Sequence, residues 1–174
     1  MNNSHSEKIT IMMSACLLGV NCNYKGGCSF DFTKDDHLWS ALTSKYNIIP
    51  ICPEQRGGLP TPRIPSELVA KASEIELGKG KILSKTGTDV TANFVKGAIE
   101  TVRLARLYNV QLAVLKSKSP SCGTKTVYDG SHSGILVDGQ GYTAYLLNKA
   151  GIRTIDEAEF CDLEKCTLSD FKVR

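Results

Sequence analysis

TDVTANFVKGAIETVRLARLYNVQLAVL (residues 88–115) changes its hydrophobic pattern once, and that change decides the fold class. Val90, Phe94, Ala98, Val102 and Ala105 recur at helical spacing and form one apolar stripe. Lys96, Glu100 and Arg103 fall on the other side, where like spacings support ion pairs on a solvated face. The spacing predicts a helix over 88–109. VQLAVL (110–115) is apolar throughout and too short for a helix, so it reads as a buried strand. A helix that delivers the chain straight into a buried strand is the repeating unit of a parallel sheet.

The same alternation runs outward in both directions. KITIMMSACLLG (8–19) reads as a first buried strand leading into a loop, and NIIPIC (47–52) as a second. Between them DDHLWSALTSKY (35–46) places Leu38, Trp39, Leu42 and Tyr46 at helical spacing behind acidic residues that suit a helix start. YTAYLLNKAG (142–151) is a further helix closed by Gly151, and IRTID (152–156) a last short strand. In PEQRGGLPTPR (53–63) the prolines and glycines exclude regular structure, and GSHSGILVDGQG (130–141) is a Gly-rich connection. Residues 66–87 admit either a strand or a short helix followed by a turn and a short strand. The expectation is one α/β domain over 1–174, a three-layer sandwich with a mainly parallel, Rossmann-like sheet, ending in a charged tail at 157–174.

With 174 residues, 41% hydrophobic and 22% charged, the chain is long enough for one domain with a substantial core. Lys and Arg (21) exceed Asp and Glu (18) only slightly, which argues against a nucleic-acid polymer as partner and leaves room for an anionic small molecule. No apolar stretch approaches the roughly 18–20 residues of a membrane span. The polar start MNNSHSEK lacks the apolar core of a secretory signal, so a cytoplasmic protein without a membrane partner is expected. Seven cysteines, an odd number, then read as buried thiols, metal ligands or catalytic groups and not as a disulfide framework.

Three of them stand out by position. Cys16, Cys52 and Cys122 each lie at or just beyond the C-terminal end of an expected strand, the edge at which open α/β sheets bind ligands. Three thiolates in one crevice repel unless a cation holds them, and soft sulfur donors suit zinc or an iron–sulfur cluster. The alternative is three ordinary buried thiols. No ferredoxin-type run and no paired C-x-x-C knuckle is present.

SACLLGVNCNYKGG (14–27), CPEQRGGLPTPR (52–63) and SKSPSCG (117–123) together resemble the three signature blocks of the thiouracil desulfidase family, in the family's order, with the likeness running over about residues 9–156. The resemblance implies a 4Fe-4S cluster held by Cys16, Cys52 and Cys122 with one iron left open, Glu54 as catalytic acid/base and Ser119 as catalytic serine. It implies a hydrolytic, non-redox removal of sulfur from thiolated uracil, with hydrogen sulfide as product. The chemistry is coherent: an open iron is a Lewis acid for a thiocarbonyl sulfur, a carboxylate can move a proton, and a hydroxyl can position water. Gly57 and Gly58 would let backbone pass close to substrate. Arg63 and Lys118, with Lys116, would favour a phosphate, hence a 4-thiouridine nucleotide over the free base. Rival readings are a non-catalytic zinc or iron–sulfur module with Cys22 as fourth ligand, and a tRNA thiouridine desulfidase.

Relatives usually continue the first block Cys-Arg-Tyr-Asp-Gly, whereas this chain has Cys22-Asn23-Tyr24-Lys25-Gly26, a change that bears on substrate preference. Cys22 is otherwise read as structural, Cys28 as incidental, and Cys161 and Cys166 as unremarkable thiols of the tail. His132 reads as a loop histidine facing water. GKGKILSKTG lacks the glycine and the strand–loop–helix context of a phosphate-binding loop.

Overall fold

The structure, a computed structural model, describes residues 8–167. The residues preceding Lys8, and the end of the expected tail at 168–174, lie outside the described residues. Four parallel strands form the central sheet: β1 (Ile9–Ser14), β2 (Tyr46–Ile51), β5 (Leu112–Leu115) and β8 (Arg153–Asp156), in the order β2-β1-β5-β8. Two antiparallel hairpins stand apart from it. One pairs β3 (Ser66–Leu68) with β4 (Ile82–Ser84); the other pairs β6 (Thr126–Tyr128) with β7 (Leu136–Asp138). The helices are α1 (Asp36–Lys45), α2 (Pro53–Arg56), α3 (Ala72–Glu76), α4 (Thr91–Leu107), α5 (Tyr142–Lys149) and α6 (Glu157–Glu164).

Side chains of a strand alternate between faces, and here each face of the sheet builds its own core. Ile11, Met13, Val114 and Ile155 pack with Leu42 of α1 and Phe160 of α6. Met12, Ala113 and Leu115 point the other way, against Ala105 of α4 and Ala144 and Leu147 of α5. Helix layers on both faces make the three-layer sandwich, and the strand order reverses between β1 and β5. That reversal opens a crevice at the C-terminal ends of the strands, where doubly wound sheets bind ligands.

Three departures from the sequence reading have simple causes. The stretch expected to be irregular contains α2, because proline at the first helical position forfeits no intrahelical bond and its φ suits the turn. The Gly-rich connection holds the β6–β7 hairpin, whose three-residue strands are too short for an alternation to show. The tail begins as α6, capped by Asp156, whose carboxylate accepts the amides of Ala158 and Glu159; Phe160 is fully buried in the core.

Candidate active site

Each candidate cysteine is delivered by its own strand. β1 ends at Ser14, and a 3-10 turn over Ala15–Leu17 carries Cys16. β2 ends at Ile51, and Cys52 occupies the cap position before α2. β5 ends at Leu115, and the turn that follows brings back Cys122, buried at 5% exposure. All three line one cavity of about 460 Å³, together with Cys22, Glu54 and Ser119.

Glu54 sits in the single turn of α2, and Arg63 reaches back to it: Arg63 Nε donates to Glu54 Oε2 at 2.5 Å. Arg63 also donates from Nη1 to the carbonyl of Cys22 at 3.1 Å and places Nη2 3.9 Å from Cys52 Sγ. Both partners are largely buried, with side-chain exposures of 6% and 14%. Glu54 Oε1 has no hydrogen-bond partner among the described residues. Ser119 Oγ accepts the amides of Ser121 and Cys122 at 3.2 and 3.1 Å, so the hydroxyl shapes the turn that presents Cys122 and keeps its own proton to donate.

The thiols are not equivalent. Cys22 lies buried beside Cys16 and Cys52, and its single S–H can stabilise a neighbouring thiolate, which pulls Cys16 below the ordinary thiol range. The same thiol, with the Gln55 backbone amide and the Arg63 charge, brings Cys52 down to about 6. Cys22 itself is pushed up by its two sulfur neighbours and by burial, and stays a thiol. Burial pushes Cys122 up as well, against a hydrogen bond from Ser14. Cys16, Cys52 and Cys122 sense one another's charge, which fits three sulfurs around a shared space. No three His, Cys, Asp or Glu side chains among the described residues close around a single ion. A polynuclear cluster takes each thiolate on a different iron, so a wider triad of sulfurs around a cavity matches it better than it matches zinc.

The expected cations divide into paired and unpaired. Arg63 is matched by Glu54, and Lys116 by Glu157, whose Oε1 accepts from Lys116 Nζ at 2.5 Å. Lys118 lines the cavity, and its ammonium makes no ion pair or hydrogen bond among the described residues. Lys85, which the sequence reading passed over, also lines the cavity and is equally unpaired among the described residues. Gly57 and Gly58 are not part of the cavity wall. Gly57 instead lets α2 lie on α4: a Cβ there would meet the Asn93 carbonyl oxygen at 2.0 Å, and one on Gly97 would meet that of Pro53 at 2.0 Å. Asn23 and Tyr24 of the departing block line the cavity, and Asn23 braces its loop by accepting the amides of Lys25 and Gly27.

His132 differs from its expected place in water: it lines the cavity, beside Glu67 of β3. Only the β6–β7 hairpin brings it there, and neither hairpin strand announces itself in the sequence. Cys161 and Cys166 lie away from the cavity with their sulfurs 2.8 Å apart. Among the described residues no helix is long and apolar enough to cross a membrane.

The sequence profile of the 2-thiouracil desulfurase family matches residues 11–159. The chain belongs to that family. Its fold is that of a solved relative, the [4Fe-4S]-dependent thiouracil desulfidase TudS, with a TM-score of 0.75 and 34% identity, covering 90% of this chain and 95% of that one. The uncharacterized protein YbbK of Bacillus subtilis (strain 168) is 38% identical over 154 residues, 88% of this chain and 99% of its own length. The desulfurase family resemblance read from the three signature blocks is thus confirmed over nearly the whole chain.

Proposed function

We propose that this chain, as a single domain, is an iron–sulfur-dependent desulfidase that replaces the sulfur of a thiolated pyrimidine by oxygen. One observation carries the reading: three thiols from three strand ends meet in one cavity with Glu54 and Ser119. Cys16, Cys52 and Cys122 would hold a 4Fe-4S cluster, a reading that the [4Fe-4S] dependence of the TudS relative also supports. When bound, the cluster would supply Lewis acidity toward the thiocarbonyl sulfur.

The remaining work belongs to the chain. Arg63 fixes Glu54 through one oxygen, which leaves Oε1 to take a proton from the attacking water or return one to the departing sulfur. Ser119 donates its proton to the substrate or to that water. Overall, a thiocarbonyl and water give a carbonyl and hydrogen sulfide, and no electrons are exchanged. Lys118 and Lys85, which line the cavity and are unpaired among the described residues, favour a substrate that carries phosphate, such as a 4-thiouridine nucleotide. Cys22 supports a second reading, a saturated four-cysteine site without turnover, because it stands in the wall between two of the candidate ligands.

Anaerobic reconstitution followed by sulfide release from 2-thiouracil, 4-thiouridine and 4-thiouridine monophosphate tests the proposal. Turnover of at least one of them is expected, reduced about 10²–10⁴-fold in Glu54→Gln with cluster content unchanged, and reduced in Ser119→Ala. A fully reconstituted protein that releases sulfide from none of the three contradicts it.

A further inference from the structure

His132 has features that the desulfidase reading does not use. Its backbone is left-handed, with φ 56, and so is that of Lys118, with φ 61. Residues with a Cβ seldom adopt this conformation, and those that do cluster at functional sites. Both of these residues line the cavity.

Glu67 holds His132 twice. Its Oε2 accepts the backbone amides of Gly130 and His132, each at 3.0 Å, and its Oε1 lies 3.5 Å from His132 Nδ1. The carboxylate is itself mostly buried, at 11% side-chain exposure, so it is a fixed partner and not a passing surface contact. A carboxylate beside Nδ1 favours the tautomer that carries its proton on that nitrogen, in which Nε2 is a lone-pair acceptor. Among the described residues Nε2 is buried and has no hydrogen-bond partner. Buried polar atoms are nearly always paired, and an exception in a cavity wall points to a missing ligand. The His132 side chain retains 18% exposure and lines the cavity, so part of it is open to a molecule bound there.

We propose that His132 is a substrate-binding residue whose Nε2 accepts the N3–H of the pyrimidine, and that Glu67 is the positioning residue that fixes its tautomer. The proposal rests on the desulfidase reading for the identity of the ring. N3–H is assigned because a nucleotide is substituted at N1, so N3–H is the ring's one remaining N–H donor. The contact would orient the ring in its plane and turn the thiocarbonyl toward one side of the cavity.

The test uses the reconstituted protein with His132→Phe, which keeps a ring and removes both nitrogens, and His132→Asn, which tolerates the left-handed backbone. For 4-thiouridine, KM is expected to rise about tenfold in His132→Phe with kcat within about twofold, the signature of lost ground-state binding. The decisive comparison is 3-methyl-4-thiouridine, whose substituted N1 and methylated N3 leave the ring no N–H donor. The wild type should handle it about tenfold worse than 4-thiouridine, and His132→Phe should treat the two alike. A methyl penalty equally large in wild type and both variants overturns the proposal, while sulfide release by the wild type would leave the desulfidase reading standing. If the wild type turns over no thiolated pyrimidine, ¹⁵N-histidine NMR of the cluster-free protein decides instead, with His132→Asn to assign the signal. An Nδ1-protonated ring whose Nε2 resonance shifts on adding uracil supports the assignment. An Nε2-protonated ring, or a resonance that uracil leaves unmoved, refutes it.

Discussion

Replacing Glu157 by alanine should destabilise the whole domain although the residue lies far along the chain from every signature block. Glu157 is 3% exposed and accepts three hydrogen bonds from the loop that leads to Ser119 and Cys122. Lys116 Nζ donates at 2.5 Å, the Ser117 amide at 2.7 Å and the Ser117 hydroxyl at 2.7 Å. Removing one member of a buried charge pair costs about 3–5 kcal/mol, chiefly because the other charge is stranded. The Lys116 side chain retains 26% exposure and can turn toward water, which sets the loss near the lower end, at about 3 kcal/mol. At about 2–4 °C per kcal/mol for a domain of this size, Tm should fall by about 6–12 °C. Glu157→Gln keeps an oxygen for the Ser117 amide and should lose about half as much. Thermal and guanidinium unfolding of the reduced, cluster-free protein measures both. A Glu157→Ala variant within about 0.5 kcal/mol of wild type, the range of an ordinary surface change, would refute the reasoning.

Gly97→Ala drives a methyl into the Pro53 carbonyl and should cost about 1–3 kcal/mol, lowering iron uptake on reconstitution because α2 carries Glu54 and follows Cys52; normal stability and iron content would show that the α2–α4 contact yields freely. In the cluster-free protein the Cys52 thiol titrates at about 6 instead of 9.0, so its reactive thiolate prevails at neutral pH and is lost as pH falls through 6. Its alkylation rate should therefore drop about tenfold per pH unit below that point, and Cys22→Ala should move the midpoint upward; a profile still rising steeply above about pH 8 would contradict this. Lys85→Ala and Lys118→Ala should each raise KM about fivefold for 4-thiouridine monophosphate and leave that for the free base nearly unchanged; equal effects on both substrates would remove the phosphate argument.

Short apolar strand segments and long amphipathic helices were legible because their signal is local: β1, β2, β5 and β8, with α4 and α5, follow from the pattern within single segments. The position of Cys16, Cys52 and Cys122 at strand ends then brought them to the same sheet edge. What stayed hidden depends on contacts between distant segments. His132 reaches the cavity only through a hairpin of three-residue strands, and Glu67 meets it from another hairpin. Glu157 looked like one acid in a charged tail until Lys116 and Ser117 met it. Gly57 signals close approach of backbone to a ligand, and only the position of Gly97 on α4 shows that the close neighbour is another helix instead. The charge count likewise could not tell Arg63 and Lys116, already neutralised, from Lys85 and Lys118.

The central claim is that Cys16, Cys52 and Cys122, and not Cys22, hold the cluster. Iron and acid-labile sulfide counted per chain after anaerobic reconstitution of the four single Cys→Ser variants test it most directly. The account predicts that serine at 16, 52 or 122 abolishes stable incorporation, while Cys22→Ser, which retains a hydroxyl donor between Cys16 and Cys52, keeps a wild-type count. A Cys22→Ser protein as empty as Cys52→Ser, or full loading in any of the other three, would contradict it.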